Sequence, residues 1–360
     1  MAPHAQQVIE ATERLAPPKL AEDWDNCGLQ VGDPAAEVSR VLVALTPLPE
    51  VFDEAEEMGA DFLLLHHPLI FHPVRSLDTS GYPGDLVARG VRAGIAVYAA
   101  HTSYDAAPGG VSEALAETLG LEGPLEVLSP RGALQKLVVF VPEEHADSVA
   151  EALASEGAGV IGDYTHCTFR APGTGTFLGG ESTSPAVGER GRLERVAEIR
   201  LETVVPAHLA RRAVEAAKAA HPYEEVALDL YPVEGRPQGC GYGRVGRLPE
   251  PLSPEELRDH VSEALGAPAR LVCRAGEKRI ERVAVLGGSG GGFVREAAAA
   301  GAEAYVTGDL DYHDALLAES LGLAAIDAGH APTELPALAP LARRLERLCG
   351  VPAVASRVRR

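Results

Sequence analysis

Four consecutive apolar residues, Phe62-Leu63-Leu64-Leu65, run directly into His66 and His67. Successive side chains on a strand point to opposite faces, so an unbroken apolar run describes a strand buried on both sides. The demand recurs in RVLVAL (Arg40–Leu45) and GIAVYAA (Gly94–Ala100), with amphipathic segments ending on glycine between the runs. Apolar strands alternating with helices predict a parallel sheet covered on both faces. The last third repeats the rhythm: a strand and Gly-rich turn in RVAVLGGSGGG, a helix and strand in FVREAAAAGAEAYVTGD, a helix in YHDALLAESLG, and a strand and loop in LAAIDAGHAPTE.

The outer thirds can be laid over each other. GIAVYAAHTSYD aligns with GLAAIDAGHAPTE, and in both a strand runs into a histidine with a carboxylate four residues later: His101 with Asp105, His330 with Glu334. Two related α/β halves, the product of a duplication, account for this; two ordinary Rossmann-like segments are the alternative. The middle third reads differently, as strand, helix, two strands, helix, strand. That order suggests an inserted α+β ferredoxin-like domain. The expected organisation is 1–130 and 237–360 as the two halves of one α/β domain, with 131–236 inserted.

The net charge of −20 argues against nucleic-acid binding, which needs a basic footprint. Five scattered cysteines with no CxxC spacing argue against a disulfide framework or a cysteine zinc site. The N-terminal stretch lacks the basic and apolar regions of a secretory signal, and no apolar run reaches membrane-spanning length, so no membrane association and a cytoplasmic protein are expected.

Ligands of parallel α/β sheets bind beyond the carboxyl ends of the strands. There this chain gathers His66 and His67, His101 and Asp105, Asp309, Asp311 and His313, and His330 and Glu334. Imidazoles and carboxylates without thiolates suit zinc, manganese, iron, cobalt or nickel. Two divalent ions with two carboxylates leave a net positive centre, one that favours an anionic small-molecule substrate and generates hydroxide near neutral pH.

The segments WDNCGLQVGD, LLLHHPLIF, HTSYDAAPGGVSEALAE, VTGDLDYHDAL and IDAGHAPTE together resemble the Nif-three-like dinuclear metal-centre hexamer family, whose members are often labelled GTP cyclohydrolase 1 type 2 homologues. In the middle, GDYTHCTFRAPGTGTF and AHPYEEVALDLYPVE resemble the inserted domain of its longer bacterial members, similar in fold to trimeric nitrogen-regulator and copper-tolerance proteins. The resemblance implies two divalent metal ions per chain, with zinc first and iron or manganese as alternatives. It implies His66 and His330 on one ion, His67 and Asp105 on the other, and Glu334 bridging both. It places His101 beside the site as a catalytic, proton-relaying or substrate-facing residue. It also implies a toroidal homohexamer with the inserted domains at its openings.

Other features have plainer readings. GGSGGG (Gly287–Gly292) lacks the third glycine of GxGxxG and the lysine of a P-loop, so a tight turn is expected rather than a phosphate cradle. Asp309 or Asp311 reads as a helix N-cap. Trp24 and Asp25 read as packing near the site, His166, His221 and Glu224 as loop structure, and Cys27 as a buried small hydrophobe. No GxSxG elbow with an oxyanion motif supports a serine hydrolase. Two function classes follow: a metal-dependent hydrolase acting on a nucleotide or small phosphorylated molecule, with Glu334 and His101 in the chemistry, and a non-enzymatic metal-holding or regulatory scaffold.

Overall fold

The structure, a computed structural model, describes residues 3–276 and 279–360. Fifteen strands are present among them: β1 Gly28–Val31, β2 Val41–Ala44, β3 Phe62–Leu65, β4 Ala96–Ala99, β5 Glu122–Pro130, β6 Leu134–Val141, β7 Phe169–Leu178, β8 Leu193–Pro206, β9 Leu228–Val233, β10 Gly241–Leu252, β11 Arg270–Cys273, β12 Ile280–Ser289, β13 Ala304–Gly308, β14 Ala324–Asp327 and β15 Ala353–Ala355. The chain divides into two compact units. One runs up to Arg131 and resumes at Gly239; the other is Gly132–Gln238.

The first unit holds two sheets. One has the order β1-β4-β3-β2-β15, the other β11-β14-β13-β12-β10-β5. The apolar runs become its central parallel strands: β2, β3 and β4 in one sheet, β12, β13 and β14 in the other. Every residue of β2, β3 and β4 is buried, as two covered faces require. The halves match in arrangement, since an antiparallel strand flanks β4 (β1) and likewise β14 (β11). The sheets are mixed rather than all parallel, because β1, β11, β10 and β5 join the parallel strands in antiparallel pairings. Each half also lends a strand to the other's sheet: β5 pairs with β10, and β15 with β2. One core accordingly draws on both halves, from Val8 and Phe62 to Ala284 and Tyr305.

The segment read as a loop after β14 and its counterpart after β4 are short helices, His330–Glu334 and Thr102–Asp105. That difference matters, because residues four apart on a helix share a face.

The second unit has the connectivity β-α-β-β-α-β and a four-stranded antiparallel sheet of order β7-β8-β6-β9. Its helices, Ala146–Ser155 and Ala210–Ala220, bury Val149, Leu153, Ala213 and Ala217 against Leu137, Val139 and Leu201 of the sheet. No helix among the described residues is long and apolar enough to cross a membrane.

Candidate metal centre

His66 and His67 extend β3 by donating their backbone N–H groups to Ala44 and Leu45. From there the side chains diverge, with ring centroids 5.0 Å apart and a 54° tilt. His330 opens the short helix after β14 and Glu334 closes it, so both face the same point. The His330 Nε2 atom lies 3.2 Å from Glu334 Oε1. His67 Nε2 lies 3.2 Å from Glu334 Oε2 and 3.3 Å from His330 Nε2. His66 Nε2 lies 3.4 Å from Glu334 Oε1 and 3.7 Å from Asp105 Oδ1.

The five residues therefore converge, with Glu334 in the middle. The resemblance implied pairing His66 with His330 and His67 with Asp105. The geometry instead groups His66 with Asp105, and His67 with His330. Pairing depends on where each side chain leaves its backbone, which a linear pattern does not contain.

Each imidazole is held from behind. His66 Nδ1 donates to the Ala100 carbonyl (3.1 Å), His330 Nδ1 to Asp309 (2.7 Å) and His101 Nδ1 to Asp25 (2.9 Å), while His67 Nδ1 lies 3.1 Å from Thr46 Oγ1. This fixes the ring planes and leaves Nε2 of His66, His67 and His330 turned into the cluster, the arrangement that orients imidazole ligands on metals. Ligand-capable atoms of His66, His67 and His101 lie within 4.8 Å of one another, as do those of His67, His330 and Glu334.

The electrostatics fit a cation. Burial alone would lower the His66 pKa, but the Asp105 and Glu334 carboxylates outweigh it and raise it to about 9. The Glu334 hydrogen bond, with Asp309 behind, raises His330 to about 9 against its burial. Burial lowers His67 and raises Asp105 to about 6. Burial works against the Glu334 carboxylate too, yet the surrounding imidazoles hold it well below the usual range. Three buried atoms, His66 Nε2, Asp105 Oδ1 and Glu334 Oε2, make no hydrogen bond among the described residues. Buried polar atoms are rarely left so, and here all three face one space, as donor atoms around a cation do.

The glycine run supports the cluster by giving way to it. A Cβ on Gly288 (φ +78°) would lie 2.5 Å from Glu334 Oε1, and one on Gly308 would lie 2.7 Å from the backbone of Gly329 and His330. The Gly287, Gly288 and Gly290 amides are already bonded to Ser112, Thr333 and Gly308, so the run is a packed turn and not a phosphate cradle.

The aspartates near β13 divide their roles. Asp311 is the N-cap of the helix Tyr312–Leu321, accepting from the His313 and Asp314 amides, whereas Asp309 takes φ +54° and reaches His330. His313 is exposed. Asp25 is not mere packing: its fully buried side chain also accepts from the Thr102 amide (3.0 Å) and from the Cys27 thiol (3.2 Å). Burial opposes its charge, but the bonds from His101 and Thr102 hold the carboxyl well below its ordinary range. Trp24 departs from the packing expectation, being 61% exposed. It lines a cavity of about 490 Å³ above the cluster, with Phe71, Tyr242, Arg131 and the glycine turn on its other walls. Cys27 is half-buried. In the inserted unit, His221 bridges the Phe140 carbonyl and the Tyr223 amide, Glu224 accepts from the Ser184 amide, and His166 is exposed, in keeping with structural roles.

Comparison with known proteins places this architecture. The family model Duf34/NIF3 (NGG1p interacting factor 3) matches residues 3–359. A Halalkalibacterium halodurans protein named GTP cyclohydrolase 1 type 2 homolog is 42% identical over 91% of this chain and 88% of its own length. A Bacillus subtilis protein of the same name is 41% identical over the same shares. Among solved structures, a Bacillus cereus protein related to NIF3 is 40% identical, with a TM-score of 0.85 over 99% of this chain and 98% of that one. The chain belongs to the Duf34/NIF3 family.

Proposed function

We propose that this chain binds two divalent metal ions and acts as a metal-dependent hydrolase on a nucleotide or another small phosphorylated molecule. The observation that carries the reading is the cluster itself: His66, His67, Asp105, His330 and Glu334 converge, each imidazole is held at Nδ1, and three buried donor atoms make no hydrogen bond among the described residues. His66 with Asp105 would hold one ion and His67 with His330 the other, with Glu334 between them. Zinc suits this donor set first, and iron or manganese next. Such ions, when bound, supply a hydroxide at neutral pH and polarise a phosphoryl or carbonyl oxygen. His101, oriented by Asp25, faces the same space and holds or releases a proton there. The relatives' name makes ring opening of GTP the first reaction to test. A homohexamer, and a ferredoxin-like assignment for the β-α-β-β-α-β unit, belong to the same reading.

Elemental analysis of the purified protein, with wild type and Glu334→Gln screened against GTP, other nucleotides and generic phosphoesters, tests the reading. We expect about two metals per chain and turnover reduced by about a hundredfold or more in the variant. Metal without turnover on any compound would move the reading to a metal-holding scaffold. Less than one metal per chain after incubation with zinc, manganese or iron would sink the metal assignment.

A further inference from the structure

We propose that Trp24 and Phe71 form a ring-binding wall beside the metal cluster, so that the cavity takes a ligand carrying a planar heteroaromatic ring as well as an anionic group. This rests on the metal reading above and narrows its substrate class: small aliphatic phosphates use only half of the site.

Four aromatic side chains line the cavity: Trp24, Phe71, Tyr242 and Phe293. Tyr242 is already covered. The Arg131 guanidinium lies 5.2 Å over its ring, Phe293 packs 5.8 Å away, and its hydroxyl donates to Glu22 at 3.0 Å. Trp24 and Phe71 are the opposite case, 61% and 40% exposed. Their centroids lie 6.2 and 6.4 Å from His101, which borders the cluster. The backbone next to Trp24 is not free to carry the ring elsewhere, because Asp25 is clamped to His101 and Thr102. An exposed indole at the edge of a polar site offers a flat apolar face, and aromatic rings of any identity stack on such a face.

The geometry limits how a ring binds. Trp24 and Phe71 stand 6.1 Å apart at 57°, too close and too tilted for a ring to slip between them. A bound ring lies on one face of Trp24, with Phe71 bordering it. The anionic group has two cationic neighbours in the cavity: the metal-loaded cluster at its floor, and Arg131, which is shared with Glu22 at 3.3 Å and the Tyr242 ring.

Trp24 is the chain's single tryptophan, so emission excited at the red edge, where the tyrosines do not absorb, reports on this wall alone. AMP and ribose 5-phosphate, which carries a hydroxyl at the carbon where AMP carries its base, are the probes. With the metal-loaded protein, AMP should quench the emission and bind about tenfold tighter than ribose 5-phosphate by calorimetry, as one stacked base predicts. Trp24→Ala should bring AMP to the level of ribose 5-phosphate, and Trp24→Phe should recover most of the difference. Equal affinity for the two probes, failure of both to bind, or an AMP affinity unchanged in Trp24→Ala overturns the proposal. A change of mass in solution on Trp24→Ala, with AMP binding intact, also overturns it by making the indole a subunit contact. Metal removal is a separate arm: it should weaken ribose 5-phosphate binding by about tenfold or more. Indifference to metal with a surviving AMP preference supports the ring wall and removes the metal reading instead.

Discussion

Three kinds of partner stand behind the four imidazoles: a carbonyl for His66, a hydroxyl for His67, carboxylates for His101 and His330. The residues converging at the centre were legible in the sequence because histidines and carboxylates at strand ends are conspicuous. Their supports were not. Asp309 and Asp311 look alike in a string, and only the φ of +54° at the first separates a prop for His330 from a helix cap. Away from the cluster, Glu54 shows what a satisfied buried carboxylate contributes. Burial opposes its charge, but Ser356 and Arg357 overcome this through a hydroxyl, a backbone amide and a guanidinium, and its pKa falls below the ordinary range. A folded-state pKa below the unfolded one gives stability that is full above the ordinary carboxylate range and drains as pH falls toward the lowered value. Glu54→Gln should therefore cost about 1–2 kcal/mol at neutral pH. The gap to wild type should close in acid, as measured by denaturant unfolding at several pH values. A constant gap would show that the carboxylate's charge is irrelevant there.

At the scale of elements, the buried strands were readable as unbroken apolar runs, and most helices as amphipathic stretches with glycine stops. The antiparallel strands β1, β5, β10 and β11 were not: β1, β5 and β11 are edges of mixed exposure, and β10 is interior but opens on glycines and an arginine, so no single period marks them. The short helices bearing Asp105 and Glu334 were also missed, being too short for any period to register. The glycine turn yields a test by contrast. Gly288 and Gly322 share a positive φ, but a Cβ at Gly322 meets open space whereas one at Gly288 meets Glu334. Gly322→Ala should lose about 1 kcal/mol from backbone strain alone. Gly288→Ala should lose more and also displace Glu334, lowering the metal content of the purified protein. Equal thermal shifts with equal metal content would mean the turn does not position the carboxylate.

For the whole molecule, the decisive fact is how the chain leaves and re-enters its first unit. Pro130 and Gly241 are paired across β5 and β10, and the Arg131 amide donates to the Cys240 carbonyl at 3.0 Å. The second unit thus occupies the place of a hairpin turn. Replacing Gly132–Gln238 with a short Asn-Gly turn should leave the first unit folded, because such a turn closes antiparallel neighbours without strain. Cooperative thermal unfolding and the full metal content of the parent chain are the expected results. Loss of both would show that the two units fold as one.

The same junction bears on how the molecule assembles in time. His67 and His330 come from opposite ends of the chain, and the second unit interrupts the path between them. Its own first and last strands are neighbours, with Leu134 paired to Val233. Once that unit folds on its local contacts, a loop of about a hundred residues shrinks to a few. At roughly 0.6 kcal/mol per doubling of loop length, this relieves on the order of 2–3 kcal/mol of closure entropy. Folding the insertion first then removes most of the closure cost that it imposes on the joining of the halves, and a completed cluster marks a chain whose two ends have found each other.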